Sequence, residues 1–267
     1  MNRTGLTVAL VAAAVVGLLF GVFPQLDLSI SRYFYGFIDA SHNAFDWRIN
    51  RPAMMARDVG LWIGTVLVAP AVFALVLKLI FPRRRLLMSG RAAVFLIATM
   101  ALGPGLLVNG ILKDHWHRPR PIDVTEFKGD QHFVPWWDPR GDCPANCAFV
   151  SGDVSGAFWT LAPAALAPPQ WRALAYAGAL VLGAGMGTLR VMAGGHFVSD
   201  VAFAGIFTFL IVWVVHGLIY RWRATRLTDE SVERAIERLA MPGADFINGL
   251  FGRKLKAPGT RPGEKMK

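Results

Sequence analysis

Six apolar stretches, each close to the length that crosses a lipid bilayer, leave this chain few ways to fold. They run from Leu6 to Phe23, Val59 to Phe81, Ala92 to Leu112, Val150 to Ala167, Leu174 to Leu189 and Phe197 to Tyr220. A hydrocarbon core about 30 Å thick takes about 20 helical residues. In lipid the backbone polar groups must be satisfied within the segment, which favours helices. The expectation is an all-α, polytopic membrane protein. Charged residues are only 17% of the chain and apolar residues 54%, against about 25% charged in an ordinary soluble domain. The same figures exclude a disordered chain. Two cysteines exclude a disulfide-rich scaffold and a four-cysteine zinc site. The first stretch reads as a span and not as a cleaved leader, because no polar cleavage region precedes Phe23-Pro24. The fifth is rich in Gly and Ala, which lets helices approach closely.

The net charge of +10 falls where it can set orientation. Pro82-Arg83-Arg84-Arg85 with Arg91, the short loop near Arg172, and the chain after Tyr220 are basic. The positive-inside rule then places these regions and both termini in the cytoplasm. Regions 26–57, 113–147 and 190–196 face outward, the first two with their bases balanced by acids such as Asp27, Asp114 and Asp142. Tyr33, Tyr35, Phe37, Phe45 and Trp47 suit short interfacial helices at the headgroup level. The expected organisation is a transmembrane domain over 1–222 and a basic cytoplasmic tail over 223–267. That tail reads as an amphipathic helix from Thr228 to Ala240, capped at Thr228 or Asp229, and a disordered end from Lys254 to Lys267. Beside six spans, its charge points to anionic lipid and not to nucleic acid.

Three polar clusters fall at the outer ends of the third to sixth stretches. Lys113, His115, His117, Arg118 and Arg120 follow the third; alone, they are also what a solvated juxtamembrane cluster looks like. Ser151-Gly152-Asp153 opens the fourth. It fits a helix cap and equally an anion site, with free first-turn amides and a glycine that allows close approach. Arg190, His196 and Asp200 form the last cluster. On a helix, His196 and Asp200 would share a face, and the Asp could hold one ring nitrogen and free the other. Cations, amides and a His–Asp pair together suit a phosphate ester. A zinc site from His115, His117 and His196 is the metal alternative.

The chain resembles the phosphatidic acid phosphatase type 2 (PAP2) superfamily of membrane phosphatases. Its first motif, Lys, six residues, Arg-Pro, matches Lys113 through Arg120-Pro121. Its third, Arg, five residues, His, three residues, Asp, matches Arg190, His196 and Asp200, with Leu189 where a Ser often stands. The second, Pro-Ser-Gly-His, is met partly by Val150-Ser151-Gly152-Asp153. The resemblance implies a six-transmembrane-helix bundle that hydrolyses a lipid phosphate monoester or pyrophosphate without metal or cofactor. His196 would become a phosphohistidine, oriented by Asp200. Lys113, Arg120, Arg190, Ser151 and Gly152 would bind the phosphate.

The departure is Asp153, where the family has a His that protonates the leaving oxygen. Either Asp153 is a protonated acid, or His115, His117 or no acid serves, or the activity has changed. The implied partner is a phosphorylated membrane lipid: phosphatidic acid, phosphatidylglycerol phosphate, undecaprenyl pyrophosphate, or lipid A at its 1- or 4′-phosphate. A bacterial envelope lipid is favoured, at the outer face of the cytoplasmic membrane. Cys143 and Cys147 lie on that side, as a short disulfide or as two thiols. His132, Phe133, Trp136 and Trp137 would meet a large headgroup or rest at the interface. Phosphotransfer between lipids, and a catalytically altered lipid-phosphate binder or transporter subunit, are the alternative functions. The sequence carries no signal for oligomeric state.

Overall fold

The computed structural model describes residues 3–36 and 44–250, with side chains to residue 243. Phe37 and the end from Lys254 to Lys267 lie outside them. Helices α1 (Arg3–Val22), α2 (Gln25–Phe34), α3 (Arg51–Ile80), α4 (Gly90–His115), α5 (Gly152–Phe158), α6 (Leu161–Leu166), α7 (Pro169–Met192), α8 (Val198–Arg221) and α9 (Asp229–Leu250) follow in order. Among the described residues, five helices (α1, α3, α4, α7 and α8) are long and apolar enough to cross a membrane.

The fourth stretch departs from the expected continuous helix. It breaks at Trp159–Thr160 into α5 and α6. Pro163 explains the break: it lacks the N–H that would bond four residues back, and its ring crowds the Trp159 carbonyl. That carbonyl instead accepts from Ala162 N at 2.8 Å. Side chains anchor the broken segment. Trp159 Nε1 donates to Thr99 Oγ1 on α4 at 2.9 Å, and the Ser155 and Thr208 hydroxyls meet at 2.7 Å, joining α5 to α8.

Two apolar cores stack along the bundle. One joins Ala71, Phe95, Trp159, Ala162, Val212 and Ile219. The other joins Val108, Phe149, Val154, Met186 and Phe203. Within α4, residues Ala101–Leu112 are π-helical around Pro104, whose carbonyl is taken by Asn109 Nδ2 at 2.7 Å. Proline and π-type turns reset the phase of a helix, and this one delivers Lys113. Trp136 is half-buried against α1 and α8. Its indole donates to Gly17 O on α1 at 3.3 Å and packs on Phe203, while Trp137 is exposed.

The second long helix starts at Arg51, earlier than the apolar run suggests, because Asn50 caps it through Ala53 N and Pro52 suits its first turn. The tail helix is capped at Thr228, whose Oγ1 accepts from Ser231 N, and runs ten residues beyond Ala240. It docks by its acids at the end of the bundle where α3 stops and α4 begins. Glu237 takes Lys78 Nζ at 2.6 Å, Glu233 takes Leu86 N at 2.9 Å, and Asp229 takes Arg91 N at 2.9 Å.

Candidate active site

At the opposite end from α9, α4 and α7 finish while α3, α5 and α8 start. Their termini converge the three polar clusters. Lys113, on the last turn of α4, reaches over the start of α5: a Cβ added to Gly152 would lie 3.1 Å from its Nζ. The missing Cβ leaves room for that approach. Ser151 precedes Gly152, fully buried, with no protein partner for its Oγ. It caps the helix in position only, not by a hydrogen bond. With seven residues, α5 contributes little dipole, so the hydroxyl is the stronger donor.

Arg190 is held in the last turn of α7 and folds under the turn that follows. A Cβ on Gly195 would strike its guanidinium. The loop of the first cluster is tied to this turn by Ile122 N donating to Gly194 O at 3.1 Å. Arg120 donates to Asn146 O at 2.5 Å, and Lys113 to Asn146 Oδ1 at 3.1 Å. Cys143 and Cys147 form a disulfide with Cα atoms 5.8 Å apart, and Asn146 lies within its loop. Asn146 adopts φ 52°, a left-handed conformation that Asn tolerates better than most residues.

His196 is buried to 2% exposure. Its Nδ1 lies 2.7 Å from Ala148 O. A carbonyl only accepts, so Nδ1 carries the proton and Nε2 keeps its lone pair. Burial, then the fields of Arg190, Arg120 and Lys113, hold the ring well below its ordinary value of 6.5. The imidazole is neutral at neutral pH, with the Nε2 lone pair available.

The His–Asp pairing read from the sequence is not formed. His196 precedes α8, so helical spacing does not place it on a face with Asp200. Asp200 is three residues inside the helix and its Oδ2 accepts from Phe197 N at 2.8 Å, as in a capping box. Its Oδ1 takes Arg118 at 2.5 Å. Arg118 also donates to Asp27 at 2.8 Å and to Ser199 Oγ at 2.8 Å. Burial opposes its charge, but Asp200 and Asp27 outweigh that, and it stays a guanidinium. Asp200 therefore bears on His196 through the loop it anchors, and not by direct contact.

Asp153 accepts from Arg57 Nε on α3 at 2.7 Å and lies 3.3 Å from Arg190 Nε. Arg57 was not singled out in the sequence. Its signal was an arginine at the outer end of the second span, level with the motifs. Arg118 and Asn146 were visible only as neighbours of motif residues. His115 and His117 turn their Nδ1 atoms to Ile111 O and Cys143 O. Among the described residues no three His, Cys, Asp or Glu side chains gather to hold a metal, so the three-histidine alternative is not formed.

Cations thus surround a buried, neutral histidine at one end of an apolar helix bundle. The chain belongs to the PAP2 superfamily of membrane lipid phosphatases, whose sequence model matches residues 92–225. It is 34% identical over 226 residues to a lipid A 4′-phosphatase of Francisella tularensis subsp. novicida (strain U112), covering 83% of this chain and 98% of that one. It is 37% and 36% identical over 105 residues to lipid A 4′-phosphatases of Rhizobium leguminosarum and Rhizobium etli. Those matches cover 39% of this chain and 45% and 41% of the relatives. No solved structure matches it.

Proposed function

We propose that this protein hydrolyses the 4′-phosphate of lipid A at the outer face of the bacterial cytoplasmic membrane. The observation that carries the reading is the near end-to-end match to a lipid A 4′-phosphatase, joined to a site built for one phosphate. Residues 1–222 form the phosphatase domain and 223–267 a cytoplasmic tail, with both termini inside. In this reading α5 and α6 make a sixth crossing. α7 ends at the site and, with 24 residues, begins about 36 Å away. The preceding segment must therefore carry the chain across.

Lys113, Arg120 and Arg190 clamp the phosphate, with Ser151 Oγ and the Gly152 N–H donating to its oxygens. His196 Nε2 attacks phosphorus as the bond to the sugar oxygen breaks. The leaving oxygen takes that electron pair and a proton from water, and the hydroxide so formed later takes the proton that the attacking second water gives up. A second water then attacks phosphorus, the P–N bond breaks, and inorganic phosphate leaves a neutral imidazole behind. Every step uses the chain's own residues and water.

The test is phosphate release by the full chain in detergent, from lipid A, phosphatidic acid, phosphatidylglycerol phosphate and undecaprenyl pyrophosphate. Lipid A should lose its 4′-phosphate by mass analysis, and His196→Ala should release none. Release from another lipid with lipid A untouched overturns the substrate. Phosphate recovered on a second lipid, and not in solution, overturns hydrolysis. Full activity in His196→Ala overturns the nucleophile.

A further inference from the structure

Asp153 stands where the family motif has its histidine acid, and its surroundings are unsuited to that task. Two guanidiniums address the same Oδ2, Arg57 at 2.7 Å with hydrogen-bond geometry and Arg190 at 3.3 Å as an ion contact. A carboxylate so paired is stabilised as the anion and has no proton to give. Stability alone does not account for the pair either. Its side chains are 38% and 21% exposed, where an ion pair contributes little.

Arg57 is placed to do more. It projects from the first turns of α3, 96 residues from Asp153 in sequence, and is outside all three motifs. Its Nε is committed to Asp153 and its NH1 faces Asp58 at 3.4 Å. An arginine has five N–H donors, so most of the fork is left for a ligand. Asp153 follows Gly152, over which Lys113 Nζ lies, and its carboxylate touches Arg190. The fork is thus fixed beside the phosphate clamp by Asp153, which contacts both arginines.

We propose that Arg57 is a further phosphate-binding residue of this site, and that Asp153 is the positioning residue that holds Arg57 and Arg190 there. The inference rests on the reading of the site as a phosphatase centre, but not on which lipid it takes. The leaving oxygen is then protonated by water and not by Asp153. A histidine at position 153 would remove the anion that pairs with Arg57, so the exchange of His for Asp and the presence of Arg57 belong to one device.

The experiment uses the full chain in detergent with inorganic phosphate as competitive probe and the released phosphate as readout. Arg57→Ala should weaken inhibition by inorganic phosphate and lower kcat/KM about ten- to a hundredfold, the range for one charge-assisted contact. Arg57→Lys should recover part of the loss. Asp153→Asn, which keeps shape and folding, should show a loss of similar size with an unchanged pH profile. The Arg57→Ala, Asp153→Asn double variant should be no worse than the weaker single one, because the two act as a unit. Wild-type phosphate inhibition in Arg57→Ala overturns the binding role. Loss of the alkaline limb in Asp153→Asn, with phosphate inhibition intact, makes Asp153 the proton donor and overturns the positioning role. Both outcomes are separate from the His196→Ala result, which tests the phosphatase reading itself.

Discussion

At the scale of single residues, the proposed chemistry turns on one neutral imidazole. His196 resists protonation because it is buried and then because Arg190, Arg120 and Lys113 face it. The unfolded chain takes a proton near 6.5 that the folded chain refuses until much lower pH. Between those values the unfolded state binds more protons, so stability rises with pH and falls as the solution is acidified. Melting of the detergent-solubilised protein should therefore drop more steeply from neutral to mildly acidic pH than that of His196→Gln. Parallel curves would contradict a strongly depressed histidine. The kcat/KM profile should likewise lack an inflection near 6.5 from the nucleophile. The clusters read in the sequence named Lys113, Arg120, Arg190 and His196, and the fold gathers them: Lys113 and Arg190 from the last turns of α4 and α7, Arg120 and His196 from the loops that follow. Spacing misled where it assumed a helix. His196 lies before α8, so its ring is oriented by the Ala148 carbonyl, and no pattern of side chains announces a backbone acceptor. Asp200 was visible as functional, but its partner is Arg118, which looked like one more surface charge.

At the scale of elements, the apolar runs located five long helices, and their ends shifted where caps and not hydropathy decide them. Asn50 and Pro52 start α3 eight residues before the apolar run at Val59. The fourth stretch was legible as apolar but not as broken, although Pro163 was in plain view. Its break follows from a clash with a carbonyl four residues back, which matters only once the segment is packed among neighbours. There Trp159 is fully buried and its indole nitrogen donates to Thr99 Oγ1, a hydroxyl that itself donates within α4. Trp159→Phe keeps a ring in the core but leaves that acceptor unmet. The expected loss is about 1 kcal/mol, since hydrogen bonds between helices in lipid are modest. Trp159→Ala adds a cavity and should cost about 3–5 kcal/mol. Unfolding of both variants in detergent measures the difference. Equal losses would mean that the bond, and not packing around the ring, fixes the broken segment.

At the scale of the whole molecule, the two ends of the bundle do different work with the same kind of interaction. At the site end, basic side chains are left in excess for an anion. At the other end, acidic side chains of α9 take up the bases of the bundle. The net charge pointed to a basic tail, yet the part that docks is acidic: Asp229, Glu233 and Glu237. The sequence could not show this, because the counts average over faces of a helix. The anchor is Lys78, whose side chain is 1% exposed on the last turns of α3 and bonds Arg84 O at 2.7 Å as well as Glu237. Lys78→Met keeps the apolar stem and removes the ammonium, so α9 loses its buried partner while the site, at the far end of α3, is untouched. Charged hydrogen bonds are worth about 1.5–3 kcal/mol each, and the glutamates are partly exposed, which lowers the share they lose. The expected result is faster proteolysis after Arg226 with kcat/KM of the intact fraction at the wild-type level. A matching fall in kcat/KM would mean instead that the docked helix is coupled through α3 to Arg57 and the phosphate clamp. The tail would then be part of the catalytic unit and not an anchor beside it.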